Sequence, residues 1–255
     1  MKVAIVFFSY VKDAGLVNLA LRGVKRLQDV NPADVVDVFV YDDAAAPMGR
    51  AAVPEWTGYE LTVFNRRGNL NGLECVQGQL AVYAGLAARG YDWVIKLDSD
   101  TYLNSLEWLR GVDAARVAHV GTSFREDYGS GSCYALSAAG IEWLQRRLEE
   151  PPVQRRVEVA LCEDKVFCRL SRMTGLQVDC RHNGKNVIDP RMLYQDWMAD
   201  ELMPLEVLPK AAAVCFKRCV WHSTPQRFEE ERKAAEARMA EYADMMDALA
   251  EELKQ

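Results

Sequence analysis

Two carboxylates, Asp98 and Asp100, directly follow an apolar segment and form the first candidate site for chemistry in this chain. Within the segment Trp93, Ile95 and Leu97 alternate with other residues, which is the period of a β-strand. Residues i and i+2 of an extended segment point to the same side, so both carboxylates can reach one small cation. Hard divalent cations prefer oxygen ligands and often bridge a carboxylate to substrate phosphates. The stretch is therefore a candidate metal–diphosphate site, and the structural alternative is a polar turn that caps the next helix.

A second acidic pair, Glu163-Asp164, precedes a run whose apolar residues have the spacing of one helix face. The pair falls in the first turn of that helix, where exposed backbone amides favour a carboxylate. A catalytic role and a purely structural one are both compatible with this position.

Polar residues also follow the first two predicted strands. Residues 3–8 and 35–41 are apolar runs joined by a helical pattern, the opening of a parallel, right-handed βαβ unit. Ligands of such sheets bind beyond the carboxyl ends of the strands. Ser9, Tyr10 and Asp42 stand at those ends and are suited to bind a base or a ribose, the alternative being a solvated loop and a helix cap.

Two loops complete the candidate ligand-binding segments. Residues 65–72 form a polar loop with Arg66 and Asn71 before a helix predicted from 73 to 87, where arginine could meet phosphate or could be ordinary surface charge. Residues 124–132 are rich in glycine and serine and predict a loop that approaches a ligand with its backbone or a simple connection.

The other apolar patterns place these segments within an α/β domain. They predict strands at 60–64, 116–121 and 176–180. They also predict a helix over 138–150 that is capped by Ser137 and ended by Pro151-Pro152. An irregular region over 181–213 and a last strand that leads to His222 follow. We expect one domain over residues 1–224, with halves at 1–103 and 104–224, and a C-terminal helix over 225–255.

The composition excludes some partners. Half of the residues are hydrophobic, and 31 basic against 37 acidic residues give a net charge of −6, so no general affinity for nucleic acid is expected. The C-terminal segment is acidic, which argues against binding to an anionic membrane. Its apolar residues form a narrow seam that predicts packing on the chain's own domain or a homodimer: Met239, Tyr242, Met246, Leu249 and Leu253.

The N-terminal residues predict a strand rather than a signal peptide, and no stretch has the length needed to span a bilayer. We therefore expect a cytoplasmic protein without a transmembrane segment. Its 7 cysteines are then most simply reduced thiols. A different reading is a zinc-stabilised binding module that uses Cys180, His182, Cys215, Cys219 and His222.

Four segments in this order resemble the GT-A-fold nucleotide-sugar glycosyltransferases, and most of all the β-1,3-galactosyltransferase and fringe-like group. They are Lys96-Leu97-Asp98-Ser99-Asp100, Tyr134-Ala135-Leu136-Ser137, Glu163-Asp164-Lys165-Val166 and Trp221-His222. The resemblance covers about residues 1–224 and rests on the order of the motifs, because no single motif is specific. It implies a single Rossmann-like GT-A domain with a mostly parallel central sheet.

The resemblance also implies a mechanism. Asp98, Asp100 and His222 would hold Mn²⁺ (or Mg²⁺) on the diphosphate of a UDP-sugar, and the nitrogen ligand favours manganese. Asp164 would be the general base that activates a hydroxyl of a glycan or other acceptor, with inversion, and Glu163 would orient the acceptor or the base. Together with the strand ends, the predicted donor site comprises Ser9, Tyr10, Asp42, Arg66, Asn71, Lys96, Asp98, Ser99 and Asp100.

Three features of the sequence depart from the family pattern. Ser99 stands where the group often has a third aspartate, the acceptor loop is not a glycine run, and Lys165 replaces the usual valine. A retaining GT-A enzyme and a nucleotidyltransferase that uses the same Asp-x-Asp site are the alternatives of the same fold.

Overall fold

The computed structural model describes residues 1–64, 72–125, 128–158, 163–182, 188–195, 202–216 and 225–252. The helices are α1 (Ala14–Val30), α2 (Leu73–Ala88), α3 (Ala138–Leu148), α4 (Pro151–Glu158), α5 (Glu163–Ser171) and α6 (Pro225–Glu252). The strands are β1 (Lys2–Ser9), β2 (Val35–Asp43), β3 (Gly58–Thr62), β4 (Trp93–Leu97), β5 (Thr101–Leu103), β6 (Val117–Arg125), β7 (Tyr128–Ser137), β8 (Gln177–His182), β9 (Leu193–Gln195) and β10 (Ala213–Cys215).

A 7-stranded sheet in the order β3-β2-β1-β4-β7-β6-β8 forms the centre of the molecule. Strand β7 runs antiparallel to both of its neighbours, and the other pairs are parallel. The predicted class, an α/β domain with a mostly parallel central sheet and a C-terminal helix, is confirmed. The carboxyl ends of β1, β2 and β4 lie at one edge, as required for a shared ligand site.

The two faces of strand β1 explain why its sequence is continuously apolar. Val3, Ile5 and Phe7 pack into the core that contains α1, whereas Ala4 and Val6 pack into the core that contains α2. A strand covered on both faces buries every side chain, so the alternation seen in half-exposed strands disappears.

A small sheet in the order β5-β10-β9 adjoins the carboxyl end of β4. Helix α6 covers this region: Tyr242 packs against Tyr102 and Phe216, and its hydroxyl donates to Asn104 Oδ1 at 2.8 Å. The seam residues Met239, Tyr242 and Met246 are thus buried within one chain, Leu249 is exposed, and Leu253 lies outside the described residues. Packing on the chain's own domain is the arrangement found, and the predicted homodimer would need another surface.

Two local predictions were wrong, and one helix was not predicted. The glycine- and serine-rich segment 124–132 belongs largely to β6 and β7, a hairpin whose small residues permit close packing. Helix α3 ends before Pro151 and Pro152, as predicted, but these prolines also begin helix α4, which was not predicted, because proline fits the first turn where its missing N–H is not needed. The region 181–213 contains the end of β8, strand β9 and a 3₁₀ helix over Leu205–Lys210. The predicted cap is confirmed, since Ser137 Oγ accepts from Gly140 N at 3.0 Å.

His119 on β6 has a buried imidazole on the side of the sheet where Tyr134 packs. Its ring packs against Tyr134, and neither ring nitrogen has a hydrogen-bond partner among the described residues. Burial, with a smaller contribution from the positive charge of Arg172, lowers the pKa of His119 to about 4. The folded protein therefore holds this imidazole neutral, whereas the unfolded chain takes up a proton below its ordinary pKa.

This difference predicts acid sensitivity. Between pH 6.5 and about 4 the unfolded state binds more protons, so the stability that His119 contributes above pH 6.5 is lost as the pH falls. The loss is about 3 kcal/mol at the acid end of that range. Urea unfolding of wild type and His119→Phe at several pH values checks this: the variant should show a flatter decline, and parallel curves would contradict the assignment.

Candidate active site

The Asp98–Asp100 segment forms a turn at the carboxyl end of β4. Asp98 N donates to Ser132 O of β7 at 2.9 Å, and Thr101 N donates back to Asp98 O at 3.0 Å. The side chain of Asp98 remains 38% exposed, whereas Asp100 is buried. The predicted extended conformation of Asp98–Asp100 is therefore wrong, because the segment turns: one carboxylate faces solvent and the other lies against the protein.

The small sheet holds Asp100 in place. Phe216 N donates to Asp100 O at 3.0 Å, and the Cys215 thiol lies 3.6 Å from Asp100 Oδ1. Cys215 in turn is paired with Thr101 across β10 and β5. Ser99, between the two aspartates, is also largely buried.

Lys96 is a buried cation beneath this turn. Its ammonium donates to Asp98 Oδ1 and to Gly131 O at 2.6 Å, and it lies 3.6 Å from Glu163 Oε1. Burial alone would lower the pKa of Lys96, but the carboxylates of Asp98 and Glu163 outweigh it and raise that pKa. A lysine in a fully buried strand is tolerated because its charge is paired and hydrogen-bonded.

Glu163 and Asp164 occupy the first turn of α5, as predicted, and both are buried. Burial raises the pKa of Glu163 to about 7; Lys96 opposes this shift, and the charges of Asp164 and Asp98 add to it. Glu163 can thus exchange a proton near neutral pH, which is a property of groups that take part in acid–base chemistry. Two carboxylates, the lysine and the β4 turn meet at this point.

Asp164 lies against the backbone of β7 at Gly131. A methyl group placed on Gly131 would come within 2.7 Å of Asp164 Oδ2 and 3.0 Å of Asp164 Cβ. The other carboxylate oxygen, Oδ1, accepts from Lys165 N at 2.7 Å. Glycine at position 131 is therefore required by the close approach of α5 to β7, and this contact brings Asp164 next to the carbonyl that binds Lys96.

The other predicted donor residues fall into two groups. Ser9 and Tyr10 lie at the end of β1, and Ser9 Oγ contacts Asp42 Oδ1 at 3.5 Å. Asp42 is fully buried; its Oδ2 accepts from Met48 N at 2.7 Å, from Gly49 N at 3.2 Å and from the Tyr59 hydroxyl at 2.6 Å. Asp42 thus anchors the loop after β2, and its contact with a ligand stays a prediction. Arg66, Asn71 and His222 lie outside the described residues.

Sequence reasoning missed a polar chain below Lys96. Tyr134 is the residue opposite Lys96 on β7, and its hydroxyl lies 3.0 Å from that of Tyr83. Tyr83 donates to Gln79 Oε1 at 3.3 Å, and Gln79 is bonded to the thiol of Cys75 at 3.6 Å. These residues support the floor of the site. The sequence signal for this chain was the spacing of four residues between Cys75, Gln79 and Tyr83, which places all three on the buried face of α2.

A second missed residue is Gln195 of β9. Its amide donates to Ser130 Oγ at 2.7 Å and contacts Ser132 Oγ at 3.5 Å. The two serines flank Gly131, so this strand contacts Gln195 on one side and Asp164 on the other. The sequence around Gln195 carries no periodic pattern, and no signal pointed to it.

The donor set fits a hard divalent cation, although only in part. Asp98 provides an exposed carboxylate at the end of β4, which suits an ion that also takes phosphate oxygens, whereas Asp100 is buried against the small sheet. Within the ranges that the structure describes, no group of three His, Cys, Asp or Glu side chains could hold a metal. The described residues of the predicted zinc site therefore form no such group either. Cys219 and His222, which complete that site, lie outside the described ranges.

Comparison with known proteins gave matches in structure only. No protein-family profile and no curated protein matches the sequence. The galactosyltransferase LgtC, solved with donor and acceptor sugar analogues, superposes with a TM-score of 0.52 at 13% identity over 95% of both chains. A glycosyltransferase involved in glycosylation of the major capsid of PBCV-1 superposes with a TM-score of 0.53 at 11% identity, over 91% of this chain and 100% of that one.

The chain has the GT-A fold. A third GT-A structure, the bifunctional glycosyltransferase WbbM, matches with a TM-score of 0.51 at 11% identity over 84% of this chain and 45% of its own. The predicted GT-A fold is confirmed, whereas the closer resemblance to the β-1,3-galactosyltransferase and fringe-like group stays a prediction. No helix in the described part is long and apolar enough to cross a membrane.

The contact between Gly131 and Asp164 predicts the effect of one methyl group. Gly131→Ala should displace the Asp164 side chain and destabilise the protein by about 1–3 kcal/mol, the usual cost of overpacking. Gly85→Ala is the matched control, because nothing lies within 4 Å of a methyl group there. In the middle of α2 alanine should stabilise by up to about 1 kcal/mol. Equal midpoints of urea unfolding for the two variants would contradict the contact.

Proposed function

We propose that this protein is a metal-dependent, inverting glycosyltransferase that moves a sugar from a UDP-sugar to a hydroxyl group of a glycan or another acceptor. The observation that carries the proposal is the meeting of Asp98, Lys96, Glu163 and Asp164 at the carboxyl end of β4 in a GT-A fold. Acidic groups for a cation and acidic groups for proton transfer are thereby adjacent, which is what sugar transfer from a nucleotide diphosphate requires.

Asp98 and Asp100 are the residues that would bind Mn²⁺ or Mg²⁺ together with the diphosphate, and His222 is proposed as a third ligand. The bound cation supplies Lewis-acid stabilisation of the departing nucleotide. The exposed Asp98 carboxylate is open to such a ligand, while the bonds to Phe216 and Cys215 hold Asp100.

Asp164 is proposed as the general base. It would accept the proton of the acceptor hydroxyl while that oxygen forms a bond to the anomeric carbon from the face opposite the nucleotide. The bond from that carbon to the phosphate oxygen breaks, and its electron pair leaves with the nucleoside diphosphate. The packing of Asp164 against Gly131 fixes the carboxylate, and Glu163 would orient the acceptor or the base.

Substitution of the base tests this assignment. Asp164→Asn should lower turnover by about two to four orders of magnitude, the usual contribution of general-base catalysis. The assay is release of UDP from UDP-glucose, UDP-galactose and UDP-N-acetylglucosamine in the presence of Mn²⁺, with sugar acceptors and with water alone. Asp29→Asn is the control, because Asp29 pairs with Lys25 on the exposed side of α1 at 2.7 Å.

Two results would contradict the proposal. Turnover of Asp164→Asn within about tenfold of wild type would remove Asp164 from the role of base, since each tenfold step is only about 1.4 kcal/mol of barrier. A product that keeps the anomeric configuration of the donor, determined by NMR, would contradict inversion.

A further inference from the structure

A single ammonium group serves two carboxylates with different surroundings. Lys96 Nζ is bonded to Asp98 Oδ1 at the end of its own strand and lies 3.6 Å from Glu163 Oε1 in α5. The side chains of Lys96 and Glu163 are 7% and 5% exposed, whereas that of Asp98 is 38% exposed. Only one of the two carboxylates can therefore be approached from solvent.

Lys96 is the cation that pairs with both carboxylates in the described ranges. Within the part of the chain that the structure describes, no second lysine or arginine lies within ion-pair distance of Asp98 or Glu163. The carbonyl of Gly131 fixes the ammonium between them at 2.6 Å. A buried ammonium needs a carboxylate partner, because burial has removed its hydration and an unpaired charge in the interior is costly. If Asp98 were taken by another cation, Glu163 is the carboxylate that remains for Lys96.

We propose that Lys96 is a positioning residue that competes with a divalent cation for Asp98 and passes its ion pair to Glu163 when the cation binds. The inference rests on the proposed cation site at Asp98 and Asp100, but not on the sugar or on the base. It adds a role for Lys96: the ammonium occupies the exposed carboxylate until the cation arrives, and then draws Glu163 toward the site. Cation binding and the position of Glu163 are thereby coupled.

Competition predicts that removal of the Lys96 charge raises the affinity of the site for the divalent cation. Loss of a basic residue near a binding site usually leaves ligands of the site unsupported, but here it removes the competitor and a positive charge that repels the cation. Loss of Glu163 has the opposite effect, because Lys96 then has no second carboxylate and stays with Asp98. The two substitutions should therefore shift the affinity in opposite directions.

The test is direct titration of the nucleotide-free protein with Mn²⁺ by calorimetry at about pH 8, above the pKa of Glu163. Lys96→Met, which keeps an unbranched side chain without the charge, should bind Mn²⁺ roughly tenfold more tightly than wild type, about 1.4 kcal/mol. Glu163→Gln should bind several-fold more weakly, and the double variant should resemble Lys96→Met. Lys25→Met, which removes an exposed lysine on α1, should bind like wild type.

A spectroscopic readout separates the transfer of the ion pair from a general charge effect. In protein labelled with ¹³C at the glutamate carboxyl groups, Mg²⁺ should move the Glu163 signal in wild type and leave it unmoved in Lys96→Met. Glu163→Gln assigns the signal. If Lys96→Met does not fold by circular dichroism, Lys96→Gln replaces it in both measurements.

The outcomes distinguish this inference from the proposed function. Suppose that wild type binds Mn²⁺, that Asp98→Asn does not, and that Lys96→Met binds Mn²⁺ no more tightly than wild type. This result would overturn the role of Lys96 and leave the cation site intact. If the ¹³C signal of Glu163 in wild type does not change when Mg²⁺ is added, the transfer of the ion pair from Asp98 to Glu163 is overturned. Absence of Mn²⁺ binding in wild type and in every variant would overturn both the inference and the proposed metal dependence.

Discussion

The buried ammonium of Lys96 is the interaction on which the arrangement of the site depends. A charge in a fully covered strand is stable only when it is paired, so the fold must supply acceptors from other elements. The turn after β4 supplies Asp98, strand β7 supplies the Gly131 carbonyl, and helix α5 supplies Glu163. One cation thereby ties three separate segments to a common point.

The antiparallel strand β7 makes this convergence possible. Its reversed direction carries the Ser130–Ser132 segment past the end of β4, where Ser132 O accepts from Asp98 N. Glycine between the two serines lets α5 approach, so that Asp164 comes to lie beside the same strand. Below them, the hydroxyls of Tyr83 and Tyr134 meet at 3.0 Å. The site is therefore part of the sheet and not an addition to it.

The sequence predicted the elements that carry the candidate site, and the ligand-binding roles of its residues stay predictions. Buried strands such as β1 and β4, the Ser137 cap and the first turn of α5 follow from local patterns of apolar and capping residues. The hairpin of β6 and β7 was missed because glycine and serine indicate loops by propensity, while here they meet a tertiary need for close approach. For Asp42 the sequence left a ligand-binding and a structural role open, because it cannot show that Met48, Gly49 and Tyr59 bond to this carboxylate.

We propose that the end of β4 binds a nucleotide-sugar together with a divalent cation. Thermal unfolding with a panel of UDP-sugars, each with and without Mn²⁺, tests it most directly, because a ligand that binds only the native state raises the midpoint. At about a hundredfold excess over Kd the account predicts a rise of roughly 5 °C that needs both components and disappears in Asp98→Ala. A midpoint that no UDP-sugar changes in the presence of Mn²⁺, or a rise that persists in Asp98→Ala, would contradict the account.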